Sequence, residues 1–298
     1  MRPSVADDNS IGKQFPTVNL PTSWAQAGIF IVLVLGLYFP VLIELVGDWW
    51  SDPNSSHGFF IPVFSAYVVW TNRKQLAVLP AEPSWSGLLI IPVALCALTV
   101  GVLGAELFLS CCSFVIIIAG FLVYFRGRRF FRAVLFPWAC LFLMIPIPTL
   151  LLSQVTFPLQ LIASRFAQTI LVACGIPVLR DGNILLLPSM SLEVAQACSG
   201  IRLLTALLAL AIIFGYFREP SMARRVALAV AAIPIAIADN GLRIVLTGLL
   251  VQRWGPAMAE RFLHSIEGLL MISMAMVMLL FTHTLICFLV ARPNGKAS

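Results

Sequence analysis

One cysteine and two distant basic residues have side chains that could act together in catalysis. The stretch EVAQACSGIRLL, residues 193–204, places Cys198 at the start of a long apolar run. A thiolate is a strong nucleophile toward an amide carbonyl. Arg243 can stabilise the oxyanion of a tetrahedral intermediate, and His264 can transfer protons near neutral pH. If the fold brings the three side chains together, they make a cysteine-dependent acyl-transfer site.

Further polar residues lie close to these three in sequence. Arg202 follows Cys198 by one helical turn, so it shares its face and can favour the thiolate or pair with Glu193 or Glu267. A helix N-terminus at Cys198 would also favour the thiolate. Asn240 lies one turn before Arg243.

His57, in SSHGFFIP, is a candidate for contacting substrate or for capping a short helix. Each candidate also has a purely structural interpretation when it is taken alone. A cysteine at a membrane boundary can simply pack, Arg243 can extend to the interface, and His264 can be an interfacial polar residue.

The composition decides where these residues must lie. The chain is 60% hydrophobic and only 11% charged, whereas soluble domains carry roughly 25% charged residues. We therefore expect one membrane domain at residues 25–291, between a polar cytoplasmic segment at 1–24 and a short cytoplasmic tail at 292–298. The net charge of +6 is explained by basic cytoplasmic loops rather than by nucleic-acid binding.

Hydropathy and charge together predict an all-α polytopic membrane protein with about eight transmembrane helices. The expected spans are 25–46, 58–72, 86–104, 106–125, 130–147, 200–217, 223–250 and 265–290. Lys and Arg collect at residues 71–75, 126–132, 218–225 and 291–296. The positive-inside rule places these loops and both termini in the cytoplasm.

The segment before Cys198 does not fit as a crossing. Residues 149–178 contain Gln154, Arg165 and Gln168, and we expect an amphipathic or re-entrant helix on the outer side. Residues 178–194 contain two turn signals and predict a small outward β-hairpin that leads into Cys198. This topology brings Cys198, Arg243 and His264 to the same outer membrane face.

Four motifs then identify a family that the chain resembles. They are SHGFFIP (56–62), ACSGIR (197–202), NGLRI (240–244) and HSIEG (264–268). In this order, over residues 30 to 290, they resemble exosortases, inner-membrane enzymes of Gram-negative bacteria. The resemblance implies Cys198 as nucleophile, Arg243 as the catalytic arginine and His264 in the third role, where archaeosortases carry a second arginine.

The resemblance also implies a substrate and a location. Exosortases are understood to process exported proteins with a PEP-CTERM tail, which has a Pro-Glu-Pro-like motif, a transmembrane helix and a basic end. We therefore expect a cysteine protease or transpeptidase of the bacterial inner membrane, with its active site at the periplasmic face. Its partners would be such substrates, membrane lipids and an acceptor amine that the sequence does not identify.

Other functions remain alternatives at this stage. A multi-pass transporter is the main one, although transporters favour inverted repeats and polar sites at the membrane midplane. A metalloprotease is disfavoured because HExxH is absent, and Ser199 lacks the GxSxG setting of a serine hydrolase. The seven cysteines include no CxxC pair and no Cys/His cluster with metal-ligand spacing, so neither a metal nor a cofactor is expected.

Overall fold

The computed structural model describes residues 24–52, 55–193 and 200–291. Most of these residues are helical, which confirms the predicted all-α class. The α-helices are α1 (Trp24–Ser51), α2 (Phe60–Thr71), α3 (Arg73–Val78), α4 (Ser86–Leu103), α5 (Leu107–Ala133), α6 (Leu135–Cys140), α7 (Thr149–Ala173), α8 (Gly200–Arg218), α9 (Met222–Trp254) and α10 (Pro256–Ala291). Two 3-10 helices, Ser56–Phe59 and Leu141–Met144, precede α2 and follow α6.

Five of the described helices are long and apolar enough to cross a membrane. These segments are Gly28–Ser51, Ser86–Leu103, Leu107–Ala133, Met222–Trp254 and Leu270–Phe288. Two further apolar helices, Leu135–Met144 and Leu204–Arg218, are shorter. The protein is therefore polytopic, and the count of eight crossings stays a prediction for the shorter segments.

The boundary between the fourth and fifth expected spans differs from the sequence prediction. Instead of ending near residue 125, α5 continues to Ala133 with a kink at Gly127, where φ is 89°. A side chain at Gly127 would collide with the carbonyl oxygen of Glu82, so the kink requires glycine. The expected span at 130–147 is consequently divided among the end of α5, α6 and a 3-10 helix.

The N-terminal half, residues 24–144, is held by a main apolar core, by a smaller cluster around Phe64 and by buried polar bonds. Helices α4 and α5 approach closely at Gly87, where a Cβ would meet the backbone of Tyr124. Tyr38 Oη and Ser113 Oγ are 3.0 Å apart inside this core. Such bonds satisfy polar groups that would otherwise be costly to bury in an apolar environment.

In the C-terminal half, α8, α9 and α10 share a second core, and α7 lies across α9. Two glycines of α9 permit this close approach. A Cβ at Gly241 would lie 2.5 Å from the ring of Phe166, and one at Gly248 would lie 2.9 Å from the side chain of Leu171. The glycine of the NGLRI motif therefore has a packing role.

The segment predicted to form a β-hairpin forms a three-stranded sheet instead. Strands β1 (Leu179–Asp181), β2 (Ile184–Leu186) and β3 (Ser191–Glu193) form an antiparallel sheet in that order. The first turn contains Gly182 (φ 60°), and the second is closed by a bond from Leu187 N to Met190 O of 2.9 Å. The second turn signal in the sequence thus separates two strands rather than ending a hairpin.

The sheet, α7 and α9 share one apolar cluster. Its buried members are Ala163, Ala167 and Leu171 of α7, Ile176, Leu185, Leu187 and Leu192 of the sheet region, and Ile244 and Val245 of α9. Each buried Leu, Ile or Val side chain of the cluster contributes about 1.5–3 kcal/mol when it is removed from water. The sheet is therefore anchored to the turns of α9 that follow Arg243.

Candidate active site

The latter part of α9 carries buried polar side chains near the predicted site. Asp239 is fully buried and Asn240 is 7% exposed. Arg243 lies one turn further along the helix and is partly buried. Because residues four apart share a helix face, Asp239 and Arg243 are neighbours and interact electrostatically.

Helix geometry brings the backbones of Arg243 and His264 to similar levels. Helices α9 and α10 are joined at Gly255 (φ 80°) and pack against each other. Arg243 lies eleven residues before Trp254, or about 17 Å along the axis, and His264 lies eight residues after Pro256, or about 12 Å. The two positions thus differ by roughly one helical turn.

The proposed nucleophile falls in a part of the chain that is not described. Cys198 lies outside the described residues, two positions before Gly200, which begins α8. Arg202 lies in the first turn of α8, and Glu267 lies on α10 one turn after His264. For Arg202, His264 and Glu267 the structure gives the backbone position only.

A narrow crevice lies close to the start of α8. It is lined by Thr156, Leu159 and Gln160 of α7, Leu204 of α8, and Ala236, Ile237 and Asn240 of α9. Leu204 is one turn beyond the first residue of α8. Asn183 Nδ2 in the turn between β1 and β2 donates to Gln160 Oε1 at 3.2 Å, so the sheet borders the polar end of this crevice.

His57 lies in the N-terminal half, in the 3-10 helix before α2. Its Nε2 is 3.1 Å from the carbonyl oxygen of Leu143. Beside it, Trp49 Nε1 donates to the carbonyl oxygen of Met144 at 2.9 Å. The Trp49 bond joins α1 to the 3-10 helix that follows α6, and the His57 bond joins the 3-10 helix before α2 to the same segment. His57 therefore has a structural partner, whether or not it also contacts substrate.

Sequence analysis did not single out Asp239 as a site residue. Neither carboxylate oxygen of Asp239 has a hydrogen-bond partner among the described residues, although both are buried. Buried carboxylates are normally paired or hydrogen-bonded, because an isolated charge is expensive to desolvate. Its spacing of four residues from Arg243 is the sequence signal that could have identified it.

Comparison with known families gives one match. The family model described as transmembrane exosortase matches residues 49–281, a range that contains Cys198, Arg243 and His264. Comparisons with curated proteins and with solved structures give no match. Because the family model covers more than three quarters of the chain, from the segment before α2 to α10, the protein belongs to the transmembrane exosortase family.

Proposed function

We propose that the protein is a cysteine protease or transpeptidase that cleaves PEP-CTERM-type sorting signals of exported proteins at the periplasmic face of the bacterial inner membrane. The observation that carries the proposal is the exosortase match over residues 49–281. Exosortases are membrane cysteine transpeptidases, and the chain holds Cys198, Arg243 and His264 within the matched range.

Each of the three residues has a distinct role in the proposed reaction. The Cys198 thiolate attacks the scissile carbonyl and forms a thioester as the C–N bond breaks. Arg243 stabilises the oxyanion of the tetrahedral intermediate. His264 protonates the leaving amine and then accepts a proton from the acceptor amine, or from water, as the thioester is resolved.

Nearby groups support this assignment. Asn240 and Gln160 supply amides on the crevice beside the start of α8, where an extended peptide could be held. Asp239 places a negative charge one turn from Arg243, which restrains the guanidinium on that helix face. The sheet and α7 cover this part of α9 and reduce the access of water that competes with an acceptor amine.

Co-expression with a protein that bears a PEP-CTERM tail tests the reaction. We expect Cys198→Ala to abolish processing while the protein remains inserted and folded, and Cys198→Ser to retain little activity because a hydroxyl lacks thiolate character. Cys174→Ala is the matched control, because Cys174 is an exposed cysteine in the same half. Full processing by Cys198→Ala would eliminate the mechanism.

Site-directed labelling tests the orientation. In a variant without native cysteines, single cysteines at Asn183 and Gln252 should react with a membrane-impermeant maleimide from the periplasm. Single cysteines at Arg129 and Ser221 should react only after the inner membrane is opened, because they replace residues of the basic loops. The reverse pattern would put Arg243 and His264 on the wrong side for an exported substrate.

A transporter is the competing class, and the same experiments separate it from an enzyme. A transporter predicts no change in substrate mass and no special sensitivity to Cys198→Ala. The family match favours the enzyme, because it covers the segments that contain all three proposed catalytic residues.

A further inference from the structure

A second cluster of reactive side chains lies well away from the candidate active site. Glu219 occupies the short connection between α8 and α9, while His283 and Cys287 lie on α10. Residues four apart share one helix face, so His283 and Cys287 both face this connection. Arg243 is 21 residues into α9, or about 32 Å along the helix from its first residue.

The three donor atoms form a compact triangle. His283 Nε2 is 2.8 Å from Glu219 Oε1, Cys287 Sγ is 3.3 Å from the same oxygen, and Cys287 Sγ is 3.6 Å from His283 Nε2. Around a tetrahedral Zn²⁺ ion, ordinary bond lengths require about 3.3, 3.5 and 3.6 Å for these pairs. The two distances from Cys287 Sγ, to Glu219 Oε1 and to His283 Nε2, already match the required values to within about 0.2 Å. Only Glu219 Oε1 and His283 Nε2 must move apart, by about 0.5 Å.

The surroundings hold Glu219 in the orientation that a metal ligand needs. Its side chain is 2% exposed, and Arg224 Nη1 donates to the other carboxylate oxygen, Oε2, at 3.1 Å. Arg225 Nε donates to the backbone carbonyl of Glu219 at 2.7 Å. Oε1 is therefore the oxygen directed at the thiol and imidazole, and the partners of Glu219 resemble the outer contacts that orient metal-binding carboxylates.

The position of the cluster also suits an ion. The guanidinium of Arg224, with Nη1 3.1 Å from Oε2, lies beside the carboxylate of Glu219. The side chain of Arg224 is 33% exposed and that of His283 is 16% exposed, so the cluster borders the protein surface and an ion can reach it.

We propose that Glu219, His283 and Cys287 bind a divalent transition-metal ion, with Zn²⁺ as the best match. A carboxylate, an imidazole and a thiolate together are typical zinc ligands, whereas Mg²⁺ and Ca²⁺ require oxygen ligands. On binding, the Cys287 thiol loses its proton to solvent, and the neutral His283 donates the Nε2 lone pair. The ion would link α10 to the α8–α9 connection, and a water would fill the fourth position.

The proposal does not depend on the reaction at Cys198, so it is tested by spectroscopy. The full chain, purified in detergent under reducing conditions and without a polyhistidine tag, is titrated with Co²⁺ as a spectroscopic substitute for Zn²⁺. We expect a thiolate-to-cobalt charge-transfer band and the visible bands of a four-coordinate ion, at one ion per chain. Added Zn²⁺ should displace Co²⁺ and remove both the charge-transfer band and the visible bands.

Matched variants locate the site. Cys287→Ser should lose the charge-transfer band, and His283→Gln should weaken Co²⁺ binding by at least about 100-fold, since even outer contacts of a metal site cost 10–100-fold. Cys174→Ser and Cys96→Ser alter exposed cysteines elsewhere and should leave the spectrum unchanged. Cys198→Ala should also leave it unchanged, which separates this site from the candidate active site.

The alternative is a hydrogen-bonded cluster only, in which His283 Nε2–H and the Cys287 thiol both donate to Glu219 Oε1. Absence of a cobalt–thiolate band in the wild-type chain would establish that alternative and overturn the proposal. A band that persists in Cys287→Ser but disappears in Cys198→Ala would also overturn it. If Cys287→Ser does not fold, Zn²⁺ should still raise the Tm of wild type and of Cys174→Ser but not of His283→Gln.

Discussion

Two buried carboxylates at different points of the C-terminal half have opposite surroundings. Glu219 is 3% exposed and accepts hydrogen bonds from Arg224, His283 and Cys287. Asp239 is 0% exposed, and neither of its oxygens has a hydrogen-bond partner among the described residues. One buried charge is fully compensated, whereas the other relies on Arg243 one turn away.

The difference indicates what each carboxylate does. A buried charge with several partners stabilises the structure around it, because removing it leaves those partners uncompensated. A buried charge without hydrogen bonds lowers stability and is retained where it serves a function. We infer that Glu219 holds the connection between α8 and α9, while Asp239 restrains Arg243, the proposed catalytic arginine.

The largest expected effect is at Arg243. Arg243→Lys keeps the positive charge but loses the planar fork that places donors on an oxyanion. We expect the rate of substrate processing to fall about 10²–10³-fold, close to the effect of Arg243→Ala, since oxyanion contacts are worth roughly 3–4 kcal/mol. Processing is measured as the rate of substrate cleavage at equal protein levels. Wild-type rates for Arg243→Lys would mean that Arg243 is only an interfacial charge.

The next effect is on stability at Glu219. Glu219→Ala leaves His283 and Arg224 without their acceptor, and we expect a loss of about 2–3 kcal/mol in the free energy of unfolding. The measurement is unfolding in mixed micelles with a chelator present, so that metal binding does not contribute. The control is Glu82→Ala, whose bridge to Arg129 is exposed and should be worth less than about 1 kcal/mol. Equal losses at both positions would contradict the comparison.

A substitution at Asp239 should raise the unfolding free energy, whereas one at Glu219 should lower it. Asp239→Asn replaces a buried carboxylate, which has no hydrogen-bond partner among the described residues, with a neutral amide, so we expect the unfolding free energy to rise by about 1 kcal/mol. Processing should fall by about tenfold, because Arg243 loses its neighbouring negative charge. Stability and processing are measured on the same preparation. A variant that is both less stable and fully active would assign Asp239 a structural role.

The smallest expected effect is on stability, when a substitution disturbs the contact between α7 and α9. Gly241→Ala pushes a methyl group against Phe166, and we expect a loss of about 1–2 kcal/mol in the unfolding free energy. Phe166→Ala in the same chain should recover most of that loss. Gly28→Ala is the control, because a Cβ there has nothing within 4 Å and alanine favours the helix. A stable Gly241→Ala variant would mean that α7 moves freely relative to α9.

Local sequence patterns were sufficient for much of the architecture. Long apolar runs predicted α1, α4, α5, α9 and α10, because a helix satisfies its own backbone in lipid. The polar residues within 149–178 predicted a helix distinct from the spans, and α7 is found there. The constant rise of a helix was enough to predict that Arg243 and His264 lie at similar levels.

Other features depended on packing between segments that are distant in sequence. The kink at Gly127 lies against the backbone of Glu82, and the third strand packs Leu192 into the apolar cluster with α7 and α9. No local pattern encodes such contacts, because they depend on which surfaces meet.

The amino-acid sequence by itself determined the membrane class and the family, since these depend on local hydropathy and on short motifs, and the same motifs predict the three catalytic residues. Only the tertiary structure decided the surroundings of the buried charges. Glu219 is 64 residues from His283 in sequence and 2.8 Å from it in space, whereas Asp239 lies among residues that offer it no hydrogen bond within the described part of the chain. Partners and desolvation are set by the packed neighbours of a group, so two similar carboxylates acquire different roles.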